Sequence, residues 1–194
     1  MKHPHRDVGN TGQTPNNPAG FQVDRKSSGN FALKIWGRFP PNWIGNLSSG
    51  LSRNSISIVS GSAKKVNTVW QAEFEIMPTR SSAQLKKIDY LSLAQENLAV
   101  AAPVEISLNE FVLDDDLRKH DGALYLEVKA SDQLGFLGAL LNRLSFYTLF
   151  PDALIIETVG GQIFDRLWIK GVGGQAPSIA AIKILRQKLE SYLI

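Results

Sequence analysis

Side chains able to do chemistry are few in this chain. Of 194 residues none is Cys and only three are His, which excludes thiolate nucleophiles, disulfides and cysteine metal sites. His3 and His5 stand in a polar stretch with no further ligand spaced to complete a metal site, and His120 is the one later imidazole that could serve a Ser as base. Asp114, Asp115 and Asp116 run into Arg118, Lys119 and His120, a polar setting in which nothing raises a carboxyl pKa. This inventory argues against an enzyme, implies no cofactor and no metal, and leaves binding as the chemistry to look for.

Two segments have a spacing that suits a ligand. Gly171-Val172-Gly173-Gly174-Gln175-Ala176 fits G-x-G-x-x-[GA] between an expected strand and an expected helix. A dinucleotide fold also needs a parallel strand after the helix and an acid about 20 residues further on, and the sequence ends before a strand and acid in that order can follow, so a flexible turn is expected here. Asp132-Gln133-Leu134-Gly135-Phe136-Leu137 is the stronger candidate. A Gly at a strand-to-helix turn lets the backbone approach a ligand, and the free N–H groups of a helix start favour a carboxylate. Asp132 can accept from an ammonium group, so these residues together suit a free α-amino acid. The plain structural roles for the same residues are a tight turn at Gly135 and a helix cap at Asp132.

The elements that must position this turn follow from periodicity. Residues 1–30 are rich in Asn, Gly, Pro and Ser and read as a mobile tail. Phe31, Leu33 and Ile35 alternate as a strand ended by Pro40-Pro41, and Trp43, Ile44, Leu47 and Leu51 follow at helical spacing behind Asn42. Residues 55–63 and 68–77 read as two strands joined by a hairpin, residues 81–96 as a helix starting at Ser81 or Ser82, and residues 103–113 as a strand. After the polar break at 114–122, residues 123–130 read as a strand and 135–147 as a helix. Residues 153–159 and 162–170 form a hairpin across Gly160-Gly161, and a last helix follows Pro177.

This order is written twice. At a shift of 93 residues Trp43-Ile44-Gly45-x-Leu47 falls on Phe136-Leu137-Gly138-x-Leu140, Leu51 on Leu144, Phe74 on Leu167 and Ile76 on Ile169. The first copy reads as β-α-β-β-α-β, the ferredoxin-like split arrangement. The second lacks residues for a last strand, so its sheet edge must be open, covered, or completed by another chain or by the first copy. The expected class is α+β: two ferredoxin-like domains in tandem, at 31–113 and 123–194, joined by a linker at 114–122.

The stretch from Asp132 to Lys170 resembles an ACT domain, with a D-x-x-G-x-L turn at Asp132, Gly135 and Leu137, then Ile156-x-Thr158-x-Gly160 and Asp165-x-Leu167-Trp168-Ile169. Tandem ACT pairs at the C-terminus of bacterial glutamine-sensing uridylyltransferases are similar in also lacking a final strand. The resemblance implies βαββαβ units that pair side by side, a homodimer, and an amino-acid effector such as glutamine bound at the interface near Asp132–Leu137. At the aligned positions of the first copy Phe39 replaces the Asp and Asn42 the Gly, so Asn42, Trp43 and Ile44 mark a degenerate counterpart.

Composition narrows the partners. Lys2, Arg6, Arg25 and Lys26 against Asp7 and Asp24 put most of the net charge of +3 in residues 1–30, and the nearly neutral remainder shows no nucleic-acid footprint. Trp70 and Trp168 fall on strands, yet no run of basic and aromatic residues accompanies them. No window approaches the ~18 apolar residues of a membrane span, and MKHPHRDVGN is not a secretory leader, so no membrane partner and a cytoplasmic location are expected. The functional expectation is a regulatory sensor acting on a separate protein. The alternative is a scaffold of the same fold that holds a protein partner without a small ligand.

Overall fold

The computed structural model describes residues 18–81, 84–96 and 104–194. Its strands are β1 (Gly20–Arg25), β2 (Phe31–Gly37), β3 (Ile56–Val66), β4 (Val69–Pro78), β5 (Glu110–Asp114), β6 (Leu124–Ser131), β7 (Phe150–Val159) and β8 (Gln162–Lys170). Its α-helices are α1 (Trp43–Arg53), α2 (Tyr90–Gln95), α3 (Phe136–Phe146) and α4 (Ile179–Glu190). All eight strands form one sheet in the order β1-β2-β4-β3-β7-β8-β6-β5, and each pairing is antiparallel. The fold is α+β.

One face of this sheet makes the core. Leu33 in β2 sits opposite Phe74 in β4, and Leu126 and Leu154 flank Leu167. All are buried and share one apolar cluster with Trp43, Leu47 and Leu51 of α1 and Leu140, Leu141 and Leu144 of α3. Strand alternation of period two meeting helix stripes of period 3.6 produces such a layer. The opposite sheet face carries the intervening residues, among them Lys34, Trp36, Gln71, Lys64, Trp168 and Tyr125.

The internal repeat is visible in the seam between the halves. Strand β3 pairs with β7 so that Ser62 lies opposite Ile155, the residue 93 positions on. Gly61 lies opposite Ile156 and Ala63 opposite Leu154. The pairing is therefore symmetrical about Ser62 and Ile155, as a pseudo-twofold axis through them requires. Above the seam α1 packs on α3 across the repeated glycines: a Cβ on Gly138 would stand 2.6 Å from Ser49 Oγ and 3.0 Å from Ser49 N, and one on Gly45 3.1 Å from Asn142 Oδ1. Asn142 Nδ2 donates to Ser49 Oγ at 3.2 Å, and Asn42 Nδ2 to Asn142 Oδ1 at 2.7 Å.

The edges differ from the sequence-based expectation. Residues 20–25, expected within the tail, form β1 against β2. With Phe21 39% exposed, an edge strand this short leaves little alternation to read. Residues 103–113 were expected to complete the first unit, but Glu110–Asp114 hydrogen-bonds to β6 of the second, whose open edge it closes. Residues 114–122 thus connect β5 to β6 inside the second half rather than linking two domains. There Lys119 Nζ bonds Asp114 at 2.6 Å and the His120 ring stacks on Tyr125 at 5.1 Å. Each half is ββαββα instead of βαββαβ.

The helix expected over 81–96 is shorter, a 3-10 turn at Leu85–Lys87 followed by α2, because Asp89 accepts from the N–H groups of Leu91 and Ser92, each at 3.1 Å, and fixes the start there. Residues 82, 83 and 103, part of those expectations, lie outside the described residues, as do His3 and His5.

Candidate functional site

The strand-to-helix turn that follows β6 occupies one wall of a cleft between the halves. The Asp132 N–H donates to the Gly161 carbonyl at 2.9 Å, tying the turn to the β7–β8 hairpin. That hairpin is set by Gly160 and Gly161 at φ 60° and 76°, the left-handed region that the Gly-Gly pair makes accessible. Gly135 is the N-cap residue of α3 at φ 90°, and a Cβ on it would lie 2.9 Å from Ser52 Oγ, so its glycine serves both backbone shape and the closeness of α1. No side chain caps α3. Asp132 therefore does not have the capping role that its position allowed, and the helix start keeps free N–H groups.

The cleft is small, with a cavity volume of about 30 Å³, and it opens to solvent. All six residues singled out from the sequence, Asp132, Gln133, Leu134, Gly135, Phe136 and Leu137, border it. Asp132, Gln133 and Leu134 are exposed at its rim, whereas the Phe136 and Leu137 side chains are buried in the core behind it. The first half supplies the other wall: Ser48 and Ser52 of α1 and Ile56, Ser57 and Ile58 of β3.

The floor holds a residue that the ligand argument from sequence left out. Asp165 in β8 is 1% exposed and borders the cleft together with Thr158. Burial pushes its carboxyl up from an ordinary 3.8 to about 7; a hydrogen bond from the Glu157 backbone opposes this, and the Asp132 and Glu157 charges add to it. Its Oδ1 has no hydrogen-bond partner, and neither has Ser48 Oγ on the facing helix, 5% exposed. A signal existed: in Ile163-x-Asp165-x-Leu167-x-Ile169 the Asp occupies the inward position of an alternating strand, where a carboxylate needs a partner.

The related hollow of the first half is lined mainly by aromatic, proline and glycine residues. Positions equivalent to Asp132 and Ile163 are Phe39 and Trp70, which with Pro41, Lys65, Phe150 and Pro151 border the corresponding hollow. Phe39 stacks on Trp43 at 4.7 Å and Trp43 meets Trp70 edge-on at 5.4 Å. Trp43 and Ile44 are fully buried and Asn42 is tied to Asn142, so the degenerate counterpart is core. Trp70 is also buried, which leaves Trp36 and Trp168 as the half-buried tryptophans of the sheet face opposite the core. The glycine-rich loop closes on itself, with the Gly171 N–H donating to the Gln175 carbonyl at 2.7 Å, and Ser178 caps α4 instead.

Among the described residues no group of three or more His, Cys, Asp or Glu is placed to hold a metal ion, and no helix is long and apolar enough to cross a membrane. The chain matches no protein-family model, no curated protein and no solved structure.

Proposed function

We propose that the chain is a non-catalytic regulatory sensor: two ferredoxin-like units of the ACT type, fused so that they pair, with a small effector, an amino acid such as glutamine, bound in the cleft between them. The observation that carries this reading is that both halves build the cleft, and that it holds two buried polar atoms without partners, Asp165 Oδ1 and Ser48 Oγ. Unsatisfied buried polar groups cost ~1–3 kcal/mol each, more if charged, and a ligand that pairs them recovers that cost. Supporting it, each half orders its strands as edge, first, third, second, the ferredoxin-like sequence of neighbours, with the edge strand supplied from before the unit.

An effector in such a seam is felt by both halves at once, which suits a device that reports occupancy to a separate protein. The site is complete within one chain, so a homodimer is not needed to form it. Thermal-shift screening of the full chain against the twenty amino acids tests the reading. At least one should raise the melting temperature, and Asp132→Ala, which removes a carboxylate at the rim, should reduce that gain. A flat response to all twenty would contradict it.

A second reading, a scaffold for a protein partner, is favoured by the sheet face that no helix covers among the described residues. There Trp36, Gln71, Lys64, Ala153, Trp168 and Tyr125 follow one another in register across six strands. Retention of a defined partner by the wild-type chain, its loss with Trp168→Ala and indifference to amino acids would favour that reading over the sensor.

A further inference from the structure

We propose that Asp165 and Ser48 form a buried seat for a primary ammonium group, so that each chain takes one small amine or α-amino acid by its nitrogen. This rests on the effector reading for the place of binding and adds which chemical group the site selects.

Asp165 Oδ1 and Ser48 Oγ come from opposite halves, border the same cleft and lack partners. Among the described residues no Lys, Arg or His forms an ion pair with Asp165. A buried carboxylate in that state is costly unless it is protonated or meets a cation. An ammonium has three donors and no acceptor. It can serve the carboxylate and the hydroxyl together, with the Thr158 hydroxyl, also at the cleft, as a third acceptor.

The field points the same way. Burial holds the Asp165 carboxyl near 7, the carboxylate at the rim of the cleft is Asp132, and Glu157, which is outside the cleft lining and engaged by Arg166 at 2.7 Å, adds its charge from further off. An entering anion would meet these charges, whereas a cation neutralises them. The free N–H groups at the start of α3 lie along the same cleft and suit the carboxylate of an α-amino acid. Stoichiometry follows from the repeat. The equivalents of Asp165, Ser48 and Asp132 are Ala72, Leu141 and Phe39, and the carboxylate that does line the related hollow, Asp152, is paired with Lys170 at 3.4 Å.

Calorimetric titration of the full chain with ethylamine, glutamine and glutaramate, which is glutamine without its amine, tests this. Ethylamine and glutamine should bind at one site per chain and glutaramate should not. Asp165→Asn should weaken both by about 10- to 100-fold and Ser48→Ala by about 3- to 10-fold. Asp165→Asn removes a buried charge, so a melting temperature at or above wild type separates lost binding from lost fold. If glutamine and glutaramate bind alike, or Asp165→Asn binds glutamine as wild type does, the seat is wrong while the effector reading stands. If ethylamine binds in an Asp165-dependent way and no amino acid does, the seat stands and the effector reading falls. No response to any amine, or two equal sites per chain, overturns the proposal.

Discussion

Asp165 should govern how stability varies with pH. Its carboxyl is raised in the folded chain to about 7 from an ordinary 3.8, mainly by burial. Between those values the folded protein holds a proton that the unfolded chain has released. Its contribution is thus complete below about pH 4 and is lost as pH rises through about 7. Across that window the loss is at most about 4 kcal/mol. Asp165→Asn, uncharged at every pH, should flatten the curve and raise the melting temperature at pH 8, and chemical denaturation at pH 5 and pH 8 measures it. Equal pH dependence in wild type and variant would show that Asp165 is not the buried acid described. An amine bound at the site should reverse the trend, its stabilisation growing with pH as the carboxylate forms.

Among the elements, the pair α1 and α3 does two jobs, joining the halves and forming the cleft walls. Gly138→Ala places a Cβ 3.0 Å from the Ser49 backbone N, so α1 must shift, at a cost of about 1–3 kcal/mol. Gly135→Ala combines a φ of 90° with a Cβ 2.9 Å from Ser52 Oγ, and should cost about 1–3 kcal/mol as well. Both are read by denaturant melts, and a neutral result for Gly138→Ala would mean that the two helices are not in close contact. The sequence made these elements legible because their signals are strong. Trp43, Leu47 and Leu51 lie on one helical stripe, and the same pattern recurs 93 residues on. It did not make the edge strands legible. Phe21 and Val23 in β1 alternate over too few residues, and nothing local to Glu110–Asp114 says that its ladder partner is β6 rather than β2. Strand pairing is a long-range choice, which periodicity does not encode. At the site, the turn at Asp132–Leu137 was readable from its Gly and its place before a helix. Ser48 and Asp165 complete the cleft only once the two halves are brought together.

At the scale of the molecule, the repeat has been built into one sheet. Strands β3 and β7 share a ladder, α1 packs on α3, and one apolar cluster runs through both halves. A chain of this kind should unfold in a single transition by circular dichroism and tryptophan fluorescence, although its pattern of elements recurs. Two separable transitions would show that the seam is weak. Replacing Ile155, on the pseudo-axis opposite Ser62 and paired on its other side with Arg166, with Pro should remove a ladder donor from a central strand and cost about 3 kcal/mol or more.

The central claim is that the cleft between the halves is a ligand site whose floor is Asp165. A crystal structure of the full chain grown with the amino acid that most raises its melting temperature tests it most directly. The account predicts density for one ligand per chain, with its nitrogen between Asp165 and Ser48 and its carboxylate toward the start of α3. Density on the sheet face opposite the core or among Phe39, Trp43 and Trp70, or a cleft closed by its own side chains with the ligand elsewhere, would contradict it.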